Sequence, residues 1–208
     1  MDPGILSYAI QCQHLLAMAI TYGIKSLEKD DLLPWSAGSD YSLVQTSALA
    51  FESSLPAVHR FVTARFEDRP LQELETNHHY WSPWLLIQLA YHASHCLLNH
   101  PVLLSARLKA FRGIIPQHFL ETSLKQTTVH FDWITHFVQM IDRTGYRVSD
   151  PLIDCCVAVA ATVALQQKQA GLAEVCEWAK SGYTICINWL QKKSTIWLNI
   201  TNVASFGF

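Results

Sequence analysis

Ten histidines are the side chains in this 208-residue chain best suited to acid–base or metal chemistry. His92 and His95 lie three apart in an apolar stretch, so a helix sets them on one face. A zinc site there needs at least one further ligand from elsewhere in the chain. A buried histidine more commonly keeps a hydrogen-bond partner than a metal, and that reading is preferred for every histidine here, the adjacent His78 and His79 included. Glu75 and His78 form one ExxH, whereas a di-iron carboxylate bundle needs two on facing helices, and the chain has no second. His130-Phe131-Asp132 has the spacing of an HxD iron triad, but it lies in a helical pattern, and His136 is the last histidine. Asp30-Asp31 sits in a polar turn and reads as solvated. No GxSxG elbow, Cys-His signature, GxGxxG or GKS/GKT occurs, so the sequence points to no catalytic residue, cofactor or metal.

The six cysteines include no CxxC pair, which excludes zinc-cluster spacing. Cys155 and Cys156 fall on different faces of a helix. Reduced, mostly buried thiols in a cytosolic or nuclear protein are expected. Fifteen basic residues face seventeen acidic ones, a net charge of −2, and the densest basic group is only Arg107, Lys109 and Arg112. A domain that neutralises DNA phosphates needs a clustered surplus, so direct DNA binding is not expected, and that trio reads as a solvated helix face. Half the residues are apolar and only 15% are charged, against the roughly 25% usual in soluble domains. Seven Trp and nine Phe add to this. Such a surface points to protein partners or self-association, and to a small apolar ligand. The apolar run from Ile5 to Ile24 is broken by Gln11, Gln13 and His14 and lacks a basic flank, which suits neither a signal peptide nor a membrane span.

The elements that position these residues read as helices. Apolar residues at 5, 8, 9, 12, 15, 16, 19 and 20 have helical period over Ile5 to about Leu27. Asp40 caps a helix from Tyr41 to about Ser54, with Leu43, Val44, Ser47 and Phe51 on one side, and Pro56 stops it. Residues 63 to 80 are more polar and include a loop around Arg69-Pro70. Ser82-Pro83 reads as a cap followed by a first-turn proline. The helix from Trp84 to Leu98 is apolar nearly all round, so it should be central. Pro116 opens a helix to Asp142 whose stripe is Val129, Trp133, Phe137, Met140 and Ile141, with Gly145 as C-terminal cap. Asp150-Pro151 repeats the cap-then-proline signal before an Ala/Val-rich helix from Leu152 to Gln169, whose small residues allow close approach by neighbours. A last helix covers Leu172 to Lys193. The expected fold is all-α, an irregular bundle of about six or seven helices over residues 1–193. Residues 194–208 form a divergent, nearly uncharged tail.

One ordered set of motifs is specific. Pro34-Trp35-x-x-x-Ser39-x-Tyr41 is followed by Glu52-x-x-Leu55-Pro56 and then His59-Arg60-Phe61. Leu89-x-Tyr91-His92, Asn99-His100-Pro101, Asp150-Pro151-Leu152 and Ala158-Val159-Ala160-Ala161-Thr162 come next. Together these resemble the fungal-specific transcription factor domain, the middle homology region of fungal Zn2Cys6 regulators, over about residues 30–190. The chain resembles the later half of that region. It departs from the pattern in having His100 before Pro101 where arginine is usual, and it lacks the cysteine cluster. The resemblance implies a nuclear regulatory domain that senses a small molecule or partner and has no DNA-binding domain of its own. A small-molecule-binding protein or enzyme on the same scaffold is the alternative. Trp35, Tyr41, Leu55, Pro56, Tyr91, His92, Pro101 and Pro151 read as scaffold. Trp35 is expected under the helix at Tyr41, and Tyr91 and His92 are expected to bury their rings and bond a neighbouring turn. A ligand would be sought between the central helix and the helix at Pro151, with Tyr91, His92 and His95 as candidate contacts.

Overall fold

The stretch that is apolar on every side becomes the axis of the molecule. In the computed structural model, which describes residues 2–25, 32–111, 113–168 and 173–194, this is helix α5, His78–Leu98. Around it stand α1 (Ile5–Ile24), α2 (Asp40–Ser54), α7 (Gln117–Thr144) and α8 (Pro151–Lys168). Helix α9 (Ala173–Ser194) packs on α8 and reaches α7. Short helices fill the connections: α3 (Phe61–Ala64), α4 (Leu71–Thr76) and α6 (Pro101–Arg107). Among the described residues there is no strand, so the all-α expectation holds. No helix among them is long and apolar enough to cross a membrane. The tail at 194–208 lies outside the described residues except for the backbone of Ser194.

Register follows from a few side chains. Helix α7 runs antiparallel to α5, because Thr127 bonds the carbonyl of Asn99, His130 meets His92, and Phe137 packs edge-on against Trp84. Helix α2 runs antiparallel to the later half of α5: Tyr41 Oη donates to Asn99 Oδ1 at 2.7 Å, and Tyr91 Oη donates to Glu52 Oε2 at 2.9 Å. Asn99 thus ties three helices at one end of the core, with its side-chain oxygen, side-chain nitrogen and carbonyl all paired, as burial requires. Trp84 anchors the other end. It is fully buried, stacks on Phe66 and Phe61, and donates its indole N–H to the carbonyl of His59 at 2.7 Å.

Several sequence expectations are corrected. Ser82-Pro83 does not start a helix. Helix α5 begins five residues earlier, with Pro83 inside it, because burial of Trp81 against Phe66 and Trp84 holds the extra turn helical despite the missing N–H. The cap of α2 is Ser39, whose Oγ accepts from Ser42 N at 3.2 Å, while Asp40 is the first helical residue and pairs with Lys25. Leu43 and Val129 point outward, at 53% and 43% exposure; Tyr41, Ala48, His130 and Ile134 take the inward positions. Trp35 meets Phe119 of α7, which in turn meets Tyr41, so the Pro34-Trp35 segment is joined to α2 through a third ring. Gly145 does cap α7 in the left-handed conformation, and Asp150 Oδ1 does accept from Leu152 N at the start of α8. Pro101 opens α6 as its first residue.

Candidate functional site

Between α2, the 55–62 segment, α5 and α7 lies an open cleft of about 280 Å3. Its walls are largely aromatic: Phe51, Phe61, Tyr91, Trp133 and Phe137 line it, with Leu55 and Ile87. Helix α2 supplies Phe51 and Glu52 from its last turn, where Leu55 and Pro56 end the helix and turn the chain across the cleft mouth. Helix α5 supplies Ile87, Gln88, Tyr91 and His92, which recur at helical spacing on one face. Helix α7 supplies Trp133 and Phe137, one turn apart. Arg60 and Glu52 place opposite charges on the exposed rim, and Arg60 is held there by its Nε donating to the carbonyl of Leu55 at 3.1 Å.

Behind the wall stands a stack of three histidines. His92 Nδ1 and His130 Nδ1 are 2.8 Å apart. His95 and His130 lie face to face, 3.9 Å between centroids and 3° from parallel. His92 itself stacks on Trp133 with the ring planes 8° apart, and Tyr91 meets all three imidazoles edge-on. Burial, and then the neighbouring His130 and His95 rings, hold His92 well below the ordinary histidine range. Burial lowers His95 to about 4, partly opposed by Glu52. Burial, followed by His95, lowers His130 to about 3. All three are therefore neutral near pH 7.

Neutrality fixes the tautomers. His130 Nε2 sits 3.1 Å from Gln126 Oε1, an acceptor, so that nitrogen carries the proton and His130 Nδ1 is bare. The short contact then requires His92 Nδ1 to be the donor. His92 Nε2 is left as a lone pair, and it has no hydrogen-bond partner among the described residues. The chain of bonds runs His92 to His130 to Gln126 and ends on the cleft side in an acceptor.

Of the candidate contacts read from sequence, the structure places Tyr91 and His92 on the cleft wall. His95 lies behind them against His130, with its Nε2 buried and unpaired. The rings of Tyr91 and His92 bond helices α2 and α7, not a neighbouring turn. Ala160, Val163 and Ala164 of α8 are fully buried in the core, and the cleft described here lies on the side of α5 that faces α7. Glu75 and His78 are both exposed, His78 against Tyr146. Asp132 points away from His130 and accepts from Trp178 Nε1 at 2.7 Å. Among the described residues no group of three His, Cys, Asp or Glu side chains is placed to hold a metal ion. Cys12, Cys96, Cys156 and Cys186 are buried, and Cys155 is exposed, facing away from Cys156. The Cys176 side chain lies outside the described residues, as does all of Arg112. Arg107 is not a solvated face residue: it lies over the Tyr22 ring and donates to the Tyr22 carbonyl at 2.9 Å, pinning α6 to α1.

Sequence reasoning missed Gln88. The only signal was a lone amide in the apolar run from Trp84 to Ala90, one turn before His92. It missed the partnership of His92 with His130 as well, since that depends on the register of two helices far apart in sequence. No protein-family model, no curated protein and no solved structure matches this chain.

Proposed function

We propose that the chain is a regulatory domain of transcription that receives a small, largely apolar molecule in the α2–α5–α7 cleft. It acts in the nucleus through protein partners or self-association and makes no DNA contact of its own. The motifs that resemble the fungal-specific transcription factor domain support the regulatory part. The cleft carries the sensing part: its walls come from separate helices, so a molecule filling it favours one relative setting of those helices over others. The test is a reporter assay with the chain fused to a heterologous DNA-binding domain, run against a library of small aromatic compounds. Reporter output is expected to change with a compound that also raises the melting temperature of the isolated chain, and both effects should vanish in Trp133→Ala. Output that follows no compound, or sequence-specific DNA binding by the chain alone, would sink the reading.

A second reading, an enzyme on this scaffold, has one observation in its favour: the bare Nε2 of His92 at the cleft, backed by His130, has the orientation of a general base. The same burial that fixes the tautomer makes it a weak base at neutral pH. Turnover of any cleft ligand, lost on His92→Phe, would favour this reading over the first.

A further inference from the structure

Gln88 is 9% exposed, lines the cleft, and makes no hydrogen bond among the described residues. Its amide is not sealed away but opens on the cleft, where water can pair it, so a ligand that displaces that water has to supply a partner or bear the cost of an unpaired carboxamide. Its neighbour one helical turn on, His92, faces the same cleft with its remaining nitrogen also unpartnered. The hydrogen-bond chain through His130 and Gln126 makes that nitrogen an acceptor only. The amide of Gln88 can donate through its NH2. An acceptor and a donor one turn apart on the same helix face complement one group especially well: a hydroxyl, which donates its proton to one and accepts from the other. The walls beside them are rings, with Trp133 stacked on His92 itself and Phe61 standing edge-on to Trp133.

We propose that the cleft binds an uncharged phenol of about two rings, its hydroxyl held between His92 Nε2 and the Gln88 amide and its ring against Trp133 and Phe61. This rests on the reading of the cleft as a ligand site given above. A hydrocarbon of the same shape leaves both polar groups dry and unpaired. An aryl carboxylate sets a negative charge against the lone pair of His92, and the rim offers it Glu52 beside Arg60, so the attraction of the guanidinium is opposed there. The ligand class is thus set by two atoms, and the volume limits its size.

Equilibrium dialysis of the whole chain with 2-naphthol, 2-methylnaphthalene and 2-naphthoate at pH 7 tests this. The wild-type chain should bind 2-naphthol about tenfold more tightly than 2-methylnaphthalene, and 2-naphthoate most weakly. In Gln88→Leu and in His92→Phe, each checked for a cooperative melt, the naphthol preference should fall to about twofold or less, with 2-methylnaphthalene binding retained. Should one variant fail to fold, the other still decides. Equal binding of 2-naphthol and 2-methylnaphthalene by the wild type, a preference that survives in a folded variant, or tighter binding of 2-naphthoate overturns the proposal and leaves the cleft a ligand site. Binding of none of the three overturns the ligand-site reading as well.

Discussion

His130 has no contact with the cleft, yet it decides what His92 presents there. Replacing it with leucine leaves the His92 Nδ1 proton without an acceptor in a buried setting, at a cost of about 1–3 kcal/mol. Urea unfolding of His130→Leu should show that loss, and the ring nitrogen shifts of His92 should change tautomer. The stack also sets a pH dependence. In the unfolded chain a histidine takes up its proton near pH 6.5. In the fold His95 does so only near 4 and His130 near 3, with His92 and His100 also lowered, each chiefly by burial. Between those values the unfolded state binds more protons, so stability is complete above about pH 6.5 and declines as pH falls toward 4. The slope is roughly 1.4 kcal/mol per pH unit for each histidine involved. Asp132 and Asp154, both raised mainly by burial, act in the opposite sense and only in the carboxylate range. Melting temperatures that are flat from pH 7 to 4.5 would contradict this account. At this scale the sequence showed His92 and His95 as a pair on one face. It showed His130 only as half of a spurious HxD, because nothing local says which of its neighbours a helical residue will meet across the core.

Helix α9 comes close to α7 at one point, and glycine makes that possible. A Cβ added at Gly182 would stand 2.2 Å from the ring of Phe131, which is buried on all sides. Gly182→Ala gains up to about 1 kcal/mol of helix propensity. The displaced ring costs more, about 1–3 kcal/mol of overpacking. A net loss in chemical denaturation is expected, and Gly182→Ala combined with Phe131→Leu should recover part of it. Helix α7 and the start of α8 were legible because an apolar period agrees with a Pro or Asp start and, in α7, with a Gly stop, as at Pro116, Asp150-Pro151 and Gly145. The start of α5 was not, since Pro83 is locally a helix opener and only the burial of Trp81 against Phe66 and Trp84 reverses it. The short helices between residues 57 and 76 were hidden for a related reason: four to six residues are too few to show a period.

Across the whole molecule one apolar cluster runs through α1, α5, α7, α8 and α9, with a smaller one where α1, α2 and the end of α5 meet. A shared core of this kind melts as a unit. Trp84→Ala, at its centre, should cost about 3–5 kcal/mol, and circular dichroism and tryptophan fluorescence should report the same midpoint. Separate midpoints would mean that α1–α2 and α7–α9 unfold independently. The all-α class and the central place of α5 could be foreseen from a stretch with no polar face. The cleft could not, because it is the space left where a helix end, a turn and two helix faces fail to close. One geometry at that place has a spectroscopic consequence. The imidazole of His92 lies parallel to and offset from the indole of Trp133, 5.6 Å between centroids, while those of His95 and His130 face each other at 3.9 Å, so all three feel the ring current of a neighbour. Their carbon-bound proton resonances should be displaced from those of the exposed His14 and His118, and the shift of His92 will follow anything that slides it along Trp133.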